Sequence, residues 1–229
     1  MKLRFTCLRR HLFLTLLLAF YSSSFTEATD RILTSVNPPR GNCQIDQLSP
    51  TDRRLSVSCR FSGLASYRSV LRFADQFAGV DRLSDRIFAL RMKDETGANV
   101  QLEIKGDGCY VFHNPKRAPS ISITYEMRLG RALDPSQSAL TSSLSPEAGF
   151  LMLGDLIPRI CSDEAVDCAP DPLSLQIVPP PGWTIATNER SNEGAFEIAS
   201  PQRAIFFLGR LRERVLAAGP MNIRVAVAG

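Results

Sequence analysis

Cysteines are the residues of this sequence whose spacing points most directly to chemistry. Five of the six lie beyond residue 40, at Cys43, Cys59, Cys109, Cys161 and Cys168. No two of these five are spaced as C-x-x-C, and His113 is the only histidine in the same part of the chain. Zinc sites need clustered cysteine and histidine ligands, so the pattern favours disulfide bonds over a metal centre. An odd number leaves one cysteine unpaired.

Acid–base catalysis has little support in the sequence. A serine or cysteine nucleophile needs a base that accepts a proton near neutral pH, and His113 is the candidate beyond residue 40. It ends an apolar run, a position typical of an ordinary strand-end histidine. The motifs G-x-S-x-G and H-E-x-x-H and phosphate-binding loops do not occur, and Gly106-Asp107-Gly108 predicts a tight turn. We therefore assign no catalytic, cofactor-binding or metal-binding residue and expect no cofactor in this chain.

Two further features have a functional and a structural interpretation. Asp163, Glu164 and Asp167 lie between two cysteines, but they lack the spacing of a known calcium loop, which favours a solvated acidic loop. Trp183 follows three prolines and a glycine. It could stack on a sugar, but a lone tryptophan that opens a strand more often packs into a sandwich core.

The first residues predict export. Basic residues precede the apolar run 12–21, and small residues follow it up to Ala28. This order is that of a secretory signal peptide, which we place at residues 1–28. No later run is long enough to span a bilayer, so we expect no transmembrane anchor after cleavage and a periplasmic or extracellular protein.

The charge of the chain argues against nucleic acid as a partner. The formal net charge is +4, but Lys2, Arg4, Arg9 and Arg10 all lie in the predicted signal peptide. The remainder is close to neutral, so it lacks the basic surface of a nucleic-acid binder.

The cysteine, histidine and acidic residues named above would be positioned by β-strands. Apolar residues alternate with polar ones from Ile121 to Leu129, which predicts a strand with one buried face. The runs 88–92 and 100–104 alternate in the same way around Asp94-Glu95-Thr96-Gly97. One register centred on Thr96 pairs the apolar residues of the two runs, which predicts a hairpin.

A second register argument places the first disulfide. A hairpin centred on Thr51 puts Cys43 opposite Cys59 and Ile45 opposite Val57, and directly opposed cysteines lie within disulfide reach. A second pair, Cys161 with Cys168, would close a short polar loop. We therefore predict these two disulfides and a free Cys109.

The rest of the chain predicts more strands separated by turns. Candidate strands cover 173–178, 183–187, 195–198, 204–208 and 222–228. Many short strands with turns between them indicate an all-β, antiparallel, sandwich-like domain over residues 29–229. Helical spacing of Val70, Phe73 and Phe77 leaves a short helix near residues 68–79 as an open alternative.

The order of segments resembles the N-terminal β domain of the glycyl aminopeptidase family, which are zinc metallopeptidases of the gluzincin type. Four stretches carry the likeness: 86–94 with Gly97, 121–129, 145–152, and 175–179 with Gly182-Trp183. None is a catalytic motif, and the family's W-x-P-G-x-Y segment would fall near residues 73–79, where its tryptophan and proline are absent. The resemblance implies a domain architecture and assigns no catalytic residue to this chain.

In that family, the zinc ligands and the general base lie on an H-E-x-x-H helix in the domain that follows. The resemblance implies an exported, non-catalytic β domain, truncated before a peptidase catalytic domain that it meets in cis or in trans, and inactive by itself. A free-standing module that binds a protein or glycan is the alternative. On the first interpretation, the apolar runs 149–157 and 204–208 would form an exposed docking patch. On the interpretation as a free-standing module, both runs are strands that are buried on two sides.

Overall fold

The computed structural model describes residues 41–64, 66–114, 118–130, 141–162, 172–218 and 221–228. All of them belong to one compact unit, Val36–Gly229. The predicted signal peptide, residues 29–40 and the acidic residues 163–167 lie outside the described part. For most residues beyond Arg212, only the backbone is described.

Strands dominate the described part, as the sequence predicts. The first nine are β1 Gly41–Ser49, β2 Arg54–Ser62, β3 Arg68–Arg72, β4 Ile87–Asp94, β5 Leu102–Gly106, β6 Cys109–His113, β7 Ser120–Arg128, β8 Ser143–Leu144 and β9 Ala148–Met152. The remainder are β10 Arg159–Ser162, β11 Leu173–Ile177, β12 Thr184–Thr187, β13 Arg190–Asn192, β14 Ala195–Ile198, β15 Ile205–Gly209, β16 Leu211–Ala218 and β17 Met221–Ala228. A 3-10 turn covers Leu83–Arg86, and one short helix, α1, covers Leu153–Leu156.

The strands form three sheets and a separate hairpin. The largest sheet has the order β13-β14-β11-β1-β2-β7-β4, and two four-stranded sheets have the orders β10-β3-β6-β5 and β12-β15-β9-β8. Strands β16 and β17 pair with each other. Pairing between these strands is antiparallel, apart from the parallel pair β1 and β11. The predicted all-β, mainly antiparallel fold is confirmed.

The core is one cluster of buried residues contributed by the large sheet and by both smaller sheets. The inner residues of β7, Ile121, Ile123, Tyr125 and Met127, are almost wholly buried, which confirms the predicted alternation. The ring of Phe73, just after β3, meets Tyr125 edge-on at 5.0 Å between centroids. Burying one such large side chain contributes roughly 1.5–3 kcal/mol, so this strand stabilises the sandwich along its whole length.

The hairpin of β1 and β2 has the predicted register. Cys43 lies opposite Cys59 and Ile45 opposite Val57. The two cysteines form a disulfide with 4.1 Å between their Cα atoms, which confirms the first predicted pair. Cys109 is free, also as predicted.

The predicted hairpin around Thr96 is wrong beyond its turn. Near the turn the expected register holds, because the Val100 amide donates to the Met92 carbonyl at 2.9 Å. Beyond it, β4 pairs with β7, and β5 pairs with β6 in a different sheet. The reason is that β6 follows β5 after the tight turn at Asp107 and Gly108, so β5 has a nearer partner.

The open alternative of a short helix near residues 68–79 is also wrong. Arg68–Arg72 is the strand β3, which lies between β10 and β6. Leu71 and Phe73 are buried and Arg72 between them is exposed, so burial follows a period of two instead of the helical period.

Candidate docking surface

The sheet β12-β15-β9-β8 has one face in the core and one face outside. On the inner face, Leu151, Phe206 and Leu208 are fully buried. The register places Phe207 of β15 opposite Phe150 of β9 and opposite Ala186 of β12. Because successive side chains of a strand point to opposite faces, these three residues share the outer face.

Phe150 and Phe207 form an aromatic pair on that outer face. Their ring centroids lie 5.1 Å apart with an angle of 57° between the ring planes. Phe207 is 51% exposed, although it is a large apolar residue in the middle of a strand. We call this surface, with the partly buried Ala148, Ala186 and Ile205 around the two rings, the aromatic face.

Glycine allows the strands beneath the aromatic face to approach closely. A Cβ atom at Gly149 would lie 2.8 Å from Cδ1 of Leu144 on β8. Real Cβ atoms essentially never approach another atom so closely, so a larger residue would displace the end of the buried Leu144 side chain. Gly149 belongs to one of the stretches that carry the family resemblance.

A buried polar group fixes the segment that follows β9. The Asp155 carboxylate accepts hydrogen bonds from the Ser142 amide at 2.7 Å and the Ser142 hydroxyl at 2.6 Å. The Arg86 guanidinium lies 3.3 Å from the same carboxylate and donates to the Asp155 carbonyl. Ser142 Oγ in turn accepts from the Met152 amide at 2.8 Å. We call Arg86, Ser142 and Asp155 the Asp155 cluster.

Tyr125 anchors the same segment to the large sheet. Its hydroxyl donates to the Leu156 carbonyl at 2.8 Å. Burial raises the pKa of this phenol well above its ordinary value of 10.0, so the side chain is neutral and donates its proton. Helix α1 is therefore attached both to the large sheet through Tyr125 and to Ser142 through Asp155.

The two runs predicted as a docking patch fit neither interpretation completely. Leu153 to Ile157 are buried, so α1 contributes nothing to the surface. Phe206 is buried while its neighbour Phe207 is exposed. The runs therefore provide both a core and one outer aromatic pair.

The other sequence candidates lie apart from the aromatic face. His113 is exposed at the end of β6, with its ring 5.7 Å from that of Tyr67. Trp183 is buried, with 9% of its surface exposed, which confirms the prediction of a core residue. Cys161 is disulfide-bonded, but Cys168 lies outside the described residues, so the predicted second pair stays a prediction.

Two features are absent from the described part of the chain. The described residues contain no group of three or more His, Cys, Asp or Glu side chains able to hold a metal ion. In the same ranges, no helix has the length and apolar character that a bilayer-spanning helix needs.

The Asp155 cluster was missed by sequence reasoning. A signal was present, since Asp155 is the single charged residue in the apolar run 150–157. A charge in such a run predicts a buried, partnered side chain. Its partners Arg86 and Ser142 are distant in sequence, so only the fold identifies them.

Comparison with known proteins gives a likeness of fold. No protein-family model matches the chain, and no curated protein matches it. Among solved structures, it is similar to an aminopeptidase N family protein from Idiomarina loihiensis, with a TM-score of 0.67 and 16% sequence identity. The match covers 82% of this chain and 32% of that one. An M1 zinc metallopeptidase from Deinococcus radiodurans matches with a TM-score of 0.47 and 12% identity, over 82% of this chain and 46% of that one.

The chain therefore spans about a third of the length of the Idiomarina protein. At 16% identity the likeness establishes the fold. It confirms, at the level of fold, the resemblance to a zinc metallopeptidase β domain that the sequence predicts.

Proposed function

We propose that this chain is the non-catalytic β domain of an exported zinc aminopeptidase and that its aromatic face packs against the catalytic domain. The observation that carries the proposal is Phe207, 51% exposed beside Phe150, on a fold shared with part of an aminopeptidase N family protein. Contiguous exposed apolar surface is typical of interaction sites. Catalysis would lie on a separate domain, which either follows in the same polypeptide or joins from a second one.

Packing against a partner explains why the sheet has an aromatic outer face. Aromatic residues are enriched at the centres of interfaces, where burying them releases more water than burying smaller side chains does. Phe207 and Phe150 already contact each other, so they present a preformed apolar surface with little side-chain entropy left to lose. The Asp155 cluster and Tyr125 hold the segment that directly follows β9 in place.

Export is supported by the first disulfide. Cys43 and Cys59 lie on neighbouring strands and are bonded. Disulfides persist in the periplasm and outside the cell, where no reducing glutathione pool acts. Together with the signal peptide predicted over residues 1–28, this supports a periplasmic or extracellular location.

Peptidase activity is not expected from this chain alone. A catalytic zinc needs three protein ligands and an open coordination position. The purified protein, assayed on glycyl and alanyl peptide anilides with added zinc, should give no turnover above that of a heat-inactivated sample. Turnover that a chelator abolishes would contradict the proposal.

The alternative of a free-standing binding module for a protein or glycan also expects no peptidase activity from this chain. It differs in predicting no peptidase partner for the aromatic face.

A further inference from the structure

Strand β5 leaves one of its edges unpaired. It is the last strand of the sheet β10-β3-β6-β5, and among the described residues it pairs with β6 alone. An edge strand of this kind presents a row of backbone N–H and C=O groups that another strand can pair with.

The side chains of β5 carry one charge of each sign around a central apolar residue. Glu103 and Lys105 point to the same face and form an ion pair, with their side chains 57% and 45% exposed. Ile104 points to the other face and is 75% exposed, more than Tyr67, Val178 or Phe207. Hydrogen bonding and attraction from Lys105 lower the pKa of Glu103, with smaller contributions from Arg68 and His113, so Glu103 is ionised at neutral pH.

We infer that β5 is a self-association edge, which pairs antiparallel with β5 of a second copy about a twofold axis at Ile104. In this register, each Glu103 lies opposite Lys105 of the other copy, and Ile104 lies opposite Ile104. The register of β5 against β6 shifts between Ile104 and Gly106, so the proposed pairing of the two copies spans Glu103 to Lys105. Opposite charges directly across a strand pair stabilise it, and like charges destabilise it. The two ion pairs within the separate copies are thus exchanged for two ion pairs between them.

Three other pairings of the same two strands place like charges together. An antiparallel register centred on Glu103 sets two carboxylates opposite each other, and one centred on Lys105 does the same with two ammonium groups. A parallel, in-register pair repeats both conflicts. An edge lysine normally discourages pairing between copies. In β5, Glu103 lies two positions from Lys105, so in the register centred on Ile104 each lysine meets a carboxylate of the other copy instead of a second lysine.

A second copy fits this edge better than an unrelated strand because the charge pattern of β5 is complementary to itself. The contact is short, since β5 has 5 residues. It is therefore much smaller than the roughly 1,600 Å² buried in a standard stable complex. The association should accordingly be weak, rise with protein concentration and fall with added salt.

Charge reversal tests the register. Sedimentation velocity of the purified protein over a range of concentrations should show a monomer–dimer equilibrium. Lys105→Glu should weaken the dimer by about tenfold or more, because it sets acidic residues opposite each other. The double variant Glu103→Lys with Lys105→Glu should restore it. A protein that is monomeric at every concentration, or a double variant as weak as the single one, would overturn the proposal.

Cross-linking tests the twofold axis independently. In a Cys109→Ser background, Ile104→Cys should form a disulfide-linked dimer on mild oxidation, because directly opposed residues lie within disulfide reach. Gln101→Cys is the control, since Gln101 is exposed but would lie at opposite ends of the paired strands. Equal cross-linking of both variants, or none at Ile104→Cys, would overturn the proposal. Neither test depends on the aromatic face or on a peptidase partner, so the proposed function can fail or hold separately.

Discussion

Asp155 places an acidic side chain at a position that is 2% exposed. Such a charge is costly to bury unless it is hydrogen-bonded and compensated. Ser142 supplies two hydrogen bonds, and Arg86 supplies both a positive charge and a bond to the backbone. The Arg86 side chain is itself only 15% exposed, so water cannot replace it easily.

Removing Arg86 should therefore destabilise the protein strongly. Arg86→Leu leaves the Asp155 charge buried without its partner, and such a loss costs about 3–5 kcal/mol of unfolding free energy. Urea unfolding followed by circular dichroism measures it. The matched control is Arg82→Leu, which breaks the ion pair of Arg82 with Asp85, whose side chains are 82% and 58% exposed. This surface pair should contribute less than about 1 kcal/mol. Equal losses in the two variants would contradict the role given to the Asp155 cluster.

Tyr125 gives a prediction with a pH signature. Tyr125→Phe removes the donor to the buried Leu156 carbonyl and should cost about 1–3 kcal/mol at neutral pH. The folded pKa of Tyr125 is raised above the unfolded value of 10.0, so its contribution is complete below pH 10 and is lost as pH rises further. The urea midpoint of the variant should therefore fall less steeply above pH 10 than that of the wild type. Tyr67→Phe, at a residue 55% exposed, should change neither quantity.

At the scale of elements, the two hairpins show what a register argument can predict. The β1–β2 register holds from Gly41 to Asp46 and shifts before Ser49, whereas the register around Thr96 holds only next to its turn. The β1–β2 hairpin continues because its strands stay in one sheet and are joined by the disulfide. The strands around Thr96 separate because each has another partner, β7 for β4 and β6 for β5. Alternation of apolar residues shows that a strand has a buried face, but does not identify the strand beside it.

The disulfide makes a prediction at this scale. The bonded cysteines are 16 residues apart, and cross-linking a loop of that size stabilises a protein by about 3 kcal/mol in the chain-entropy account. The double variant Cys43→Ala with Cys59→Ala should lower the free energy of unfolding by roughly this amount. Cys109→Ala, at the free cysteine, is the control and should have a much smaller effect.

Non-reducing peptide mapping should find Cys43 linked to Cys59 and Cys161 linked to Cys168. A linkage that contains Cys109 would contradict this assignment.

At the scale of the whole molecule, strand content and the all-β class follow from local pattern. The strand 121–129 and the buried Trp183 needed only alternation and turn signals. The division into three sheets depends on contacts between distant segments, and these are not encoded in any single window of sequence. The same limit explains the aromatic face. The apolar runs were visible in the sequence, but the exposure of Phe207 beside a buried Phe206 depends on how β15 is placed against β9.

Contact between the aromatic face and a zinc peptidase domain is tested most directly by site-specific photo-cross-linking. A benzophenone amino acid at Phe207, expressed in the cells of origin, should cross-link to a polypeptide segment that contains H-E-x-x-H. That segment would be either a second protein or another part of the same polypeptide. The same group at Val178, which is 45% exposed, is the matched control and should not capture it. Cross-links from Phe207 only to proteins without a zinc-peptidase motif, or equal capture from Val178, would contradict the account.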